Sequence, residues 1–208
     1  MFKIIRFTNY EKANEYRLKI IAENSYGVVL DIGASQNPNK FLSKNRYVKE
    51  IWSIDIKKPS RKLPKKYKKI IIFDLDNLDE KFPIKSKKFD TIIIGEVLEH
   101  LNNSFKILYE FKKLLKKGGS LIITTPTPKY YLEIINMILF SAPIGFPEHK
   151  NLFTRKQIFY MIKRLNLQIK KTVGHNFWIL FLKIGFVQTK YKMPEIFTWQ
   201  QIYIAKKR

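Results

Sequence analysis

The sequence predicts an α/β fold: a Rossmann-like, mostly parallel sheet with helices on both faces. Two patterns carry that expectation. Apolar runs of strand length alternate with helix-spaced segments along most of the chain, the order from which parallel sheets are built. The first run, Val28-Val29-Leu30-Asp31-Ile32, ends in an acid and Gly33 and then breaks into Ala34-Ser35-Gln36-Asn37-Pro38. A continuous apolar run suits a strand buried on both faces. Gly33 permits a sharp turn and a close backbone approach to a ligand. Pro38 has no N–H to lose and suits the first turn of a following helix. Strand, glycine turn and helix together open a ligand-binding unit of this fold.

The elements follow in order. Asn9 to Asn24 has helical spacing and leads into a strand at Tyr26 to Ile32, then a helix over roughly Pro38 to Asn45. A second strand, about Glu50 to Ile56, places Asp55 22 positions after Gly33. That matches the spacing of about 20 residues for an acid that binds a ribose hydroxyl pair. The prolines of the basic segment Lys57 to Lys69 oppose a helix and make it a solvated loop. A third strand, Ile70 to Phe73, ends in Asp74-Leu75-Asp76, and a fourth, Phe89 to Gly95, delivers Glu96-Val97-Leu98-Glu99-His100 onto a turn or short helix. Ser104 to Lys116 is amphipathic, and Gly118-Gly119 closes it before a fifth strand, Ser120 to Thr125. Tyr131 to Phe140 and Thr154 to Leu165 read as helices, with Thr154 as a cap. Leu167 to Val173 and Gln200 to Ala205 read as the last strands.

Length and composition bound the rest. A chain of 208 residues can bury one sizeable core, so 1–208 reads as a single domain. Without cysteine there is no disulfide partner, thiolate metal site or thiol nucleophile, which suits a reducing compartment. Met1 to Ile21 lacks the apolar core of a signal peptide. No run reaches the roughly 18 apolar residues of a membrane span. The expected location is cytoplasmic, with association at the inner face of the membrane left open. The chain carries 40 basic and 17 acidic residues, a net charge of +23. That charge attracts polyanions such as RNA or an anionic membrane surface; the alternative is a solvated lysine surface. Lysine outnumbers arginine 33 to 7, whereas specific phosphate and base contacts favour arginine. No basic stretch is interleaved with aromatic residues as single-strand-binding surfaces are.

At this point four segments resemble the class I S-adenosylmethionine-dependent methyltransferases, in particular the type 11 group. They are Val-Leu-Asp-Ile-Gly at 29–33, Ser-Ile-Asp at 53–55, Phe-Asp-Thr-Ile-Ile-Ile-Gly-Glu-Val-Leu-Glu-His-Leu at 89–101, and Leu-Leu-Lys-Lys-Gly-Gly-Ser-Leu-Ile-Ile-Thr-Thr-Pro at 114–126. A fifth is His149 followed by Leu-Phe-Thr at 152–154. The resemblance implies a seven-stranded sheet with an antiparallel last strand, an N-terminal helix within 1–25, and substrate-covering insertions over 127–200. It also implies S-adenosylmethionine as cofactor. Asp31, Gly33 and Ser35 would lie by its methionine part, Asp55 on the ribose, Asp74 and Leu75 on the adenine, and Glu96 near the sulfonium. The chain departs from the family in having Ala34, Ser35, Gln36 and Asn37 where further glycines usually stand.

Methyl transfer needs a nucleophile held in line with an activated methyl group, and a hydroxyl must also lose its proton to a base or a metal. Glu96, Glu99 and His100 are spaced i, i+3, i+4 and share a face if the segment is helical. His149 would be the fourth member of a set able to hold Mg or Mn. The set resembles that of the RNA 3′-terminal 2′-O-methyltransferases and the ubiquinone-pathway O-methyltransferases. In the alternative, Glu99 and His100 satisfy one another or a helix end, no metal is used, and His100 or His149 is the catalytic base. His175 has no motif around it and reads as structural. The apolar segments Tyr131 to Phe146 and Phe177 to Phe186 are either core, a lid over a hydrophobic acceptor, or a membrane-docking surface. Three functions follow: O-methylation of a small-molecule, glycan or lipid-linked acceptor; metal-dependent RNA 2′-O-methylation; or a non-catalytic RNA- or membrane-binding module on a degenerate methyltransferase fold.

Overall fold

The computed structural model describes residues 5–7, 10–34, 38–60, 62–77, 82–140, 148–175, 177–179, 184–187 and 195–208. In chain order the elements are β1 (Ile5–Phe7), α1 (Tyr10–Glu23), β2 (Gly27–Ile32), α2 (Lys40–Lys44), β3 (Val48–Asp55), β4 (Tyr67–Ile72), β5 (Phe89–Gly95), α3 (Ser104–Leu114), β6 (Leu115–Pro126), α4 (Tyr131–Phe140), α5 (Arg155–Arg164), β7 (Leu167–His175), β8 (Phe177–Ile179), β9 (Ile184–Val187) and β10 (Gln200–Lys207). Seven strands form the main sheet in the order β4-β3-β2-β5-β6-β10-β7. The pairs from β4 to β6 are parallel, and β10 runs antiparallel to both β6 and β7. The antiparallel last strand is therefore inserted into the sheet, one place from its edge.

Alternation along the central strands sorts the core into two layers, because successive side chains of a strand point to opposite faces. Leu30, Ile32, Ile92, Ile94, Leu121 and Ile123 pack with Ile107, Leu108 and Phe111 of α3 and with Ile158 and Ile162 of α5. Val29, Ile93 and Ile122 pack on the other face with Ile20 and Ile21 of α1 and Leu42 of α2. Asp31 shares the parity of Val29, so a carboxylate is delivered to the α1/α2 layer, where it is only 5% exposed.

Helix ends follow local chemistry. Thr154 and Gln157 form a reciprocal capping box at the start of α5, as the Thr-x-x-Gln spacing allows. Asn39 caps α2 by accepting from the Phe41 N–H, which leaves Pro38 before the cap and not in the first turn. The amphipathic helix α3 stops at Leu114. Gly118 and Gly119 lie within β6, with Gly118 at φ 73°, so they shape the start of that strand and do not close the helix. The sequence reading did not anticipate the antiparallel three-stranded sheet β1-β9-β8; the apolar connection near 177–182 contributes one of its strands.

Candidate active site

The strand order reverses between β2 and β5, and in open α/β sheets ligands bind at such a switch point, beyond the carboxyl ends of the strands. Those ends deliver Asp31 and Gly33, Asp55, Asp74 and Glu96. Gly33 has φ +74°, a conformation that suits glycine, and a methyl group there would come within 2.8 Å of Val97 Cγ2. Its N–H donates to the Ile54 carbonyl at 2.9 Å. Asp31 accepts a 2.8 Å hydrogen bond from the Tyr67 hydroxyl. Burial pushes its pKa up to about 7, with Asp55 adding to the rise and with Tyr67 and Arg17 opposing it.

Arg17 reaches this edge from α1. Its Nη1 donates to Thr124 Oγ1 at 2.9 Å and lies 3.7 Å from Glu96 Oε1, while Nε and Nη2 donate to Asn14 Oδ1. Arg17, Asp31, Gly33, Asn39 and Gly95 line a hollow of about 50 Å³. That is room for the polar end of a ligand, with the rest lying across the open edge. Toward β3 and β4, Asp55 Oδ1 accepts from the Lys57 N–H at 3.1 Å and Ile56 is 60% exposed. Asp74 is exposed and accepts from the Asp76 N–H at 2.9 Å. Leu75 is 7% exposed and belongs to the core cluster that includes residues of α3 and the sheet. Ile56 presents the larger apolar surface. Ser35 lies outside the described residues.

The expected helical face at 96–100 does not form. Glu96 has φ +55°, and the helical part is a single 3-10 turn, Leu98–His100. Glu96 is thereby turned aside: its Oε2 accepts from Gln200 Nε2 at 2.7 Å, and its other oxygen faces Arg17. It does not stand with the other three expected metal ligands. Glu99, His100 and His149 do come together, with one ligand atom from each within 4.8 Å of one another. Main-chain bonds build the group, since the Glu99 carbonyl accepts from the N–H groups of Lys150 at 2.8 Å and Asn151 at 3.0 Å. His100 Nδ1 lies 3.2 Å from the Glu148 carbonyl, and the two imidazole rings meet edge to face at 4.9 Å. Asp76 ties the assembly together by accepting from the Asn102 N–H at 2.7 Å and from Lys150 Nζ at 2.8 Å.

Glu99 is 1% exposed. One oxygen accepts from Thr125 Oγ1 at 3.3 Å, and the other is buried without a hydrogen bond. Burial, and then the negative charge of Glu96, push its pKa up to about 8. Burial and the neighbouring His100 hold the His149 pKa below the ordinary histidine value. A buried, half-satisfied carboxylate beside two imidazoles is a donor set that fits a divalent cation. Arg17, Gln200, Ile56 and Asp76 were missed by sequence reasoning. Arg17 meets Thr124 across 107 positions and Gln200 meets Glu96 across 104, so neither contact leaves a local motif.

Comparison with known proteins agrees with this fold. A family model, Methyltransf_23, described as a methyltransferase domain, matches residues 6–172. The chain belongs to this methyltransferase family, within the class I S-adenosylmethionine-dependent methyltransferases. A ubiquinone biosynthesis O-methyltransferase of Pelagibacter ubique is 37% identical over 99 residues, covering 45% of this chain and 41% of that protein; the chain thus matches less than half the length of this curated relative. Among solved structures, an S-adenosylmethionine-dependent methyltransferase of Archaeoglobus fulgidus superposes with a TM-score of 0.65 at 19% identity, covering 97% of this chain and 96% of that one. An N-methyltransferase of Bradyrhizobium japonicum in complex with S-adenosylhomocysteine gives 0.56 at 13% identity, covering 96% and 87%. The fold is shared across enzymes that methylate different atoms, so the acceptor must be argued from the site.

Proposed function

We propose that this chain transfers the methyl group of S-adenosylmethionine to a hydroxyl oxygen of a small-molecule, glycan or lipid-linked acceptor. The observation that carries the reading is the Glu99, His100 and His149 group, assembled beside Glu96 at the carboxyl edge of the sheet. The printed function of the Pelagibacter relative, an O-methyltransferase, points the same way. Arg17, Asp31 and Gly33 would hold the methionine end of the cofactor, Asp55 and Ile56 its ribose and adenine, and Asp74 the adenine edge.

In the transfer, the acceptor oxygen forms a bond to the methyl carbon as the carbon–sulfur bond breaks, the sulfonium becomes a neutral thioether, and the hydroxyl proton leaves. A divalent ion held by Glu99, His100 and His149 would supply a Lewis acid that lowers the hydroxyl pKa. Two imidazoles and one carboxylate suit Mn or a later transition metal better than Mg. Without an ion, His149 is the base, because its depressed pKa keeps it neutral and able to accept a proton. Helix α4, expected as core among other readings, leaves Ile135, Ile138 and Leu139 exposed. That apolar row follows β6 and would cover a hydrophobic acceptor. No described helix is long and apolar enough to cross a membrane.

Transfer of labelled methyl from S-adenosylmethionine to a panel of phenols, glycans and prenylated phenols tests the reading. Label recovered on oxygen supports it. Label on nitrogen or carbon alone, with the cofactor bound, overturns it. Chelation followed by Mn addition separates the two routes: loss and recovery of activity marks the metal route, and unchanged activity marks the histidine base.

A further inference from the structure

The outer faces of α3 and α5 form a second surface. On α3, Phe105, Tyr109 and Lys112 recur at i, i+4 and i+7, so they share one face, while Ile107, Leu108, Phe111 and Leu114 are buried behind it. On α5, Tyr160, Lys163 and Arg164 share the face opposite buried Ile158 and Ile162. The two faces are continuous. The Arg164 guanidinium lies 6.0 Å from the Phe105 ring on α3 and 5.8 Å from the Tyr160 ring on its own helix, and it donates to the Tyr160 hydroxyl at 3.1 Å. Lys113 stands 4.6 Å over the Tyr109 ring.

Where the two helices end, Lys112, Lys163, Asn166, Leu167, Lys207 and Arg208 line a hollow of about 510 Å³. Lys207 Nζ donates to the carbonyls of Lys112 and Leu115 at the end of α3. Burial and the like charges of Lys112 and Lys88 lower its pKa, the mark of crowded cations. The acid on these two helices is Glu110, already paired with Lys113 at 2.8 Å.

We infer that this α3/α5 face binds single-stranded nucleic acid, with phosphates in the cationic hollow and unpaired bases against Phe105, Tyr109 and Tyr160. Single strands are gripped by a cationic track combined with aromatic planes on which bases stack. Three large apolar residues stand exposed on this face and all are aromatic: Phe105 at 36%, Tyr109 at 46% and Tyr160 at 60%. A lipid surface would be met by aliphatic side chains, and among the described residues exposed aliphatic side chains gather on α4 (Ile135, Ile138, Leu139) and on β4 (Ile70, Ile72) instead. Lysine-rich composition suits contacts to phosphate, which carry no sequence information. The linear sequence hides the surface because its halves lie about 50 positions apart and each alone reads as an amphipathic helix; folding sets their basic and aromatic residues side by side.

The test is fluorescence anisotropy of the whole chain with an oligouridine of about 12 nucleotides, within the range of single-strand site sizes. A duplex of equal length and phosphatidylglycerol vesicles run in parallel, each across a salt series. The oligouridine binds more tightly than the duplex, and its affinity falls linearly in log–log form with salt. The Lys112→Gln/Lys163→Gln pair flattens that slope by about 1.4, at roughly 0.7 per phosphate contact. Tyr109→Ala and Tyr160→Ala each weaken binding about 5- to 150-fold with the slope unchanged. All these positions are on the helix surface, and melting curves check that the variants fold. The inference is overturned if the loop pair Lys62→Gln/Lys65→Gln weakens binding as much, since diffuse charge then suffices. It is also overturned if the tyrosine variants lose vesicle binding while keeping the oligonucleotide.

Discussion

The two halves of the catalytic edge are built by different means. On the proposed cofactor side, β2, β3 and β4 each deliver their acid from the end of a strand; Asp31 is met by Tyr67 of β4, two strands away, and Gly33 by the Ile54 carbonyl of adjacent β3. On the proposed acceptor side, Glu96 and Glu99 are completed from far along the chain, by Gln200, by Lys150 and by Asn151. Both sides bury a carboxylate, but Asp31 is bonded by Tyr67 while one oxygen of Glu99 goes without a hydrogen bond. A side built by neighbouring strands can be satisfied in advance. The side built by distant segments retains a buried oxygen without a hydrogen bond, for a ligand to satisfy.

Substitutions on each side break the comparison differently. Asp31 is expected to have the largest effect. An acid whose folded pKa exceeds its unfolded one holds its proton longer in the native state. The stability it lends is therefore full below pH 4 and is lost as pH rises through about 7. Asp31→Asn keeps an acceptor for Tyr67 without that loss. It should raise unfolding stability at pH 8 by up to about 4 kcal/mol, and by little at pH 4, while weakening S-adenosylmethionine binding. Denaturant melts at the two pH values and calorimetry check this; equal stability gains at both would contradict it.

On the acceptor side, Glu99→Ala or His149→Ala should lower the single-turnover rate by about 100-fold or more, or about 3 kcal/mol, with cofactor affinity held within a few-fold. A matched loss of cofactor affinity would put both residues in the cofactor site. Gly33→Ala sets a side chain at φ +74° against Val97 and should cost about 1–2 kcal/mol, seen in chemical melts. Thr154→Ala removes the α5 capping box at about 1 kcal/mol, with cofactor binding unchanged. Smallest is Lys150→Met, whose exposed pair with Asp76 contributes a few tenths of a kcal/mol; a measured loss above 1 kcal/mol would mean the tether carries more than charge.

The legibility of the sequence follows the same division. Strand runs, the Gly33 turn and the spacing to Asp55 depend on period and local conformation, so the sheet from β2 to β6 and its acids could be read directly. The Thr154 cap was legible because both partners of the capping box lie within one turn. His149 was legible only through resemblance; nothing local shows that residues 148–151 lie on the 3-10 turn. The burial of Leu75 could not be read, because a leucine after a strand-end acid reads alike whether it faces the core or a ligand. Glu96 was expected with the metal set because i, i+3, i+4 spacing presumes helix, and the positive φ of Glu96 breaks that presumption.

The insertion of β10 between β6 and β7 also bears on the order of assembly. The strand nearest the end of the sequence occupies an interior place, so during synthesis β6 keeps an unpaired edge until residues 200–207 have emerged. Non-local pairing of this kind slows folding and exposes edges to association with other chains. The half of the molecule that carries the proposed acceptor chemistry is therefore completed only after β10 has emerged.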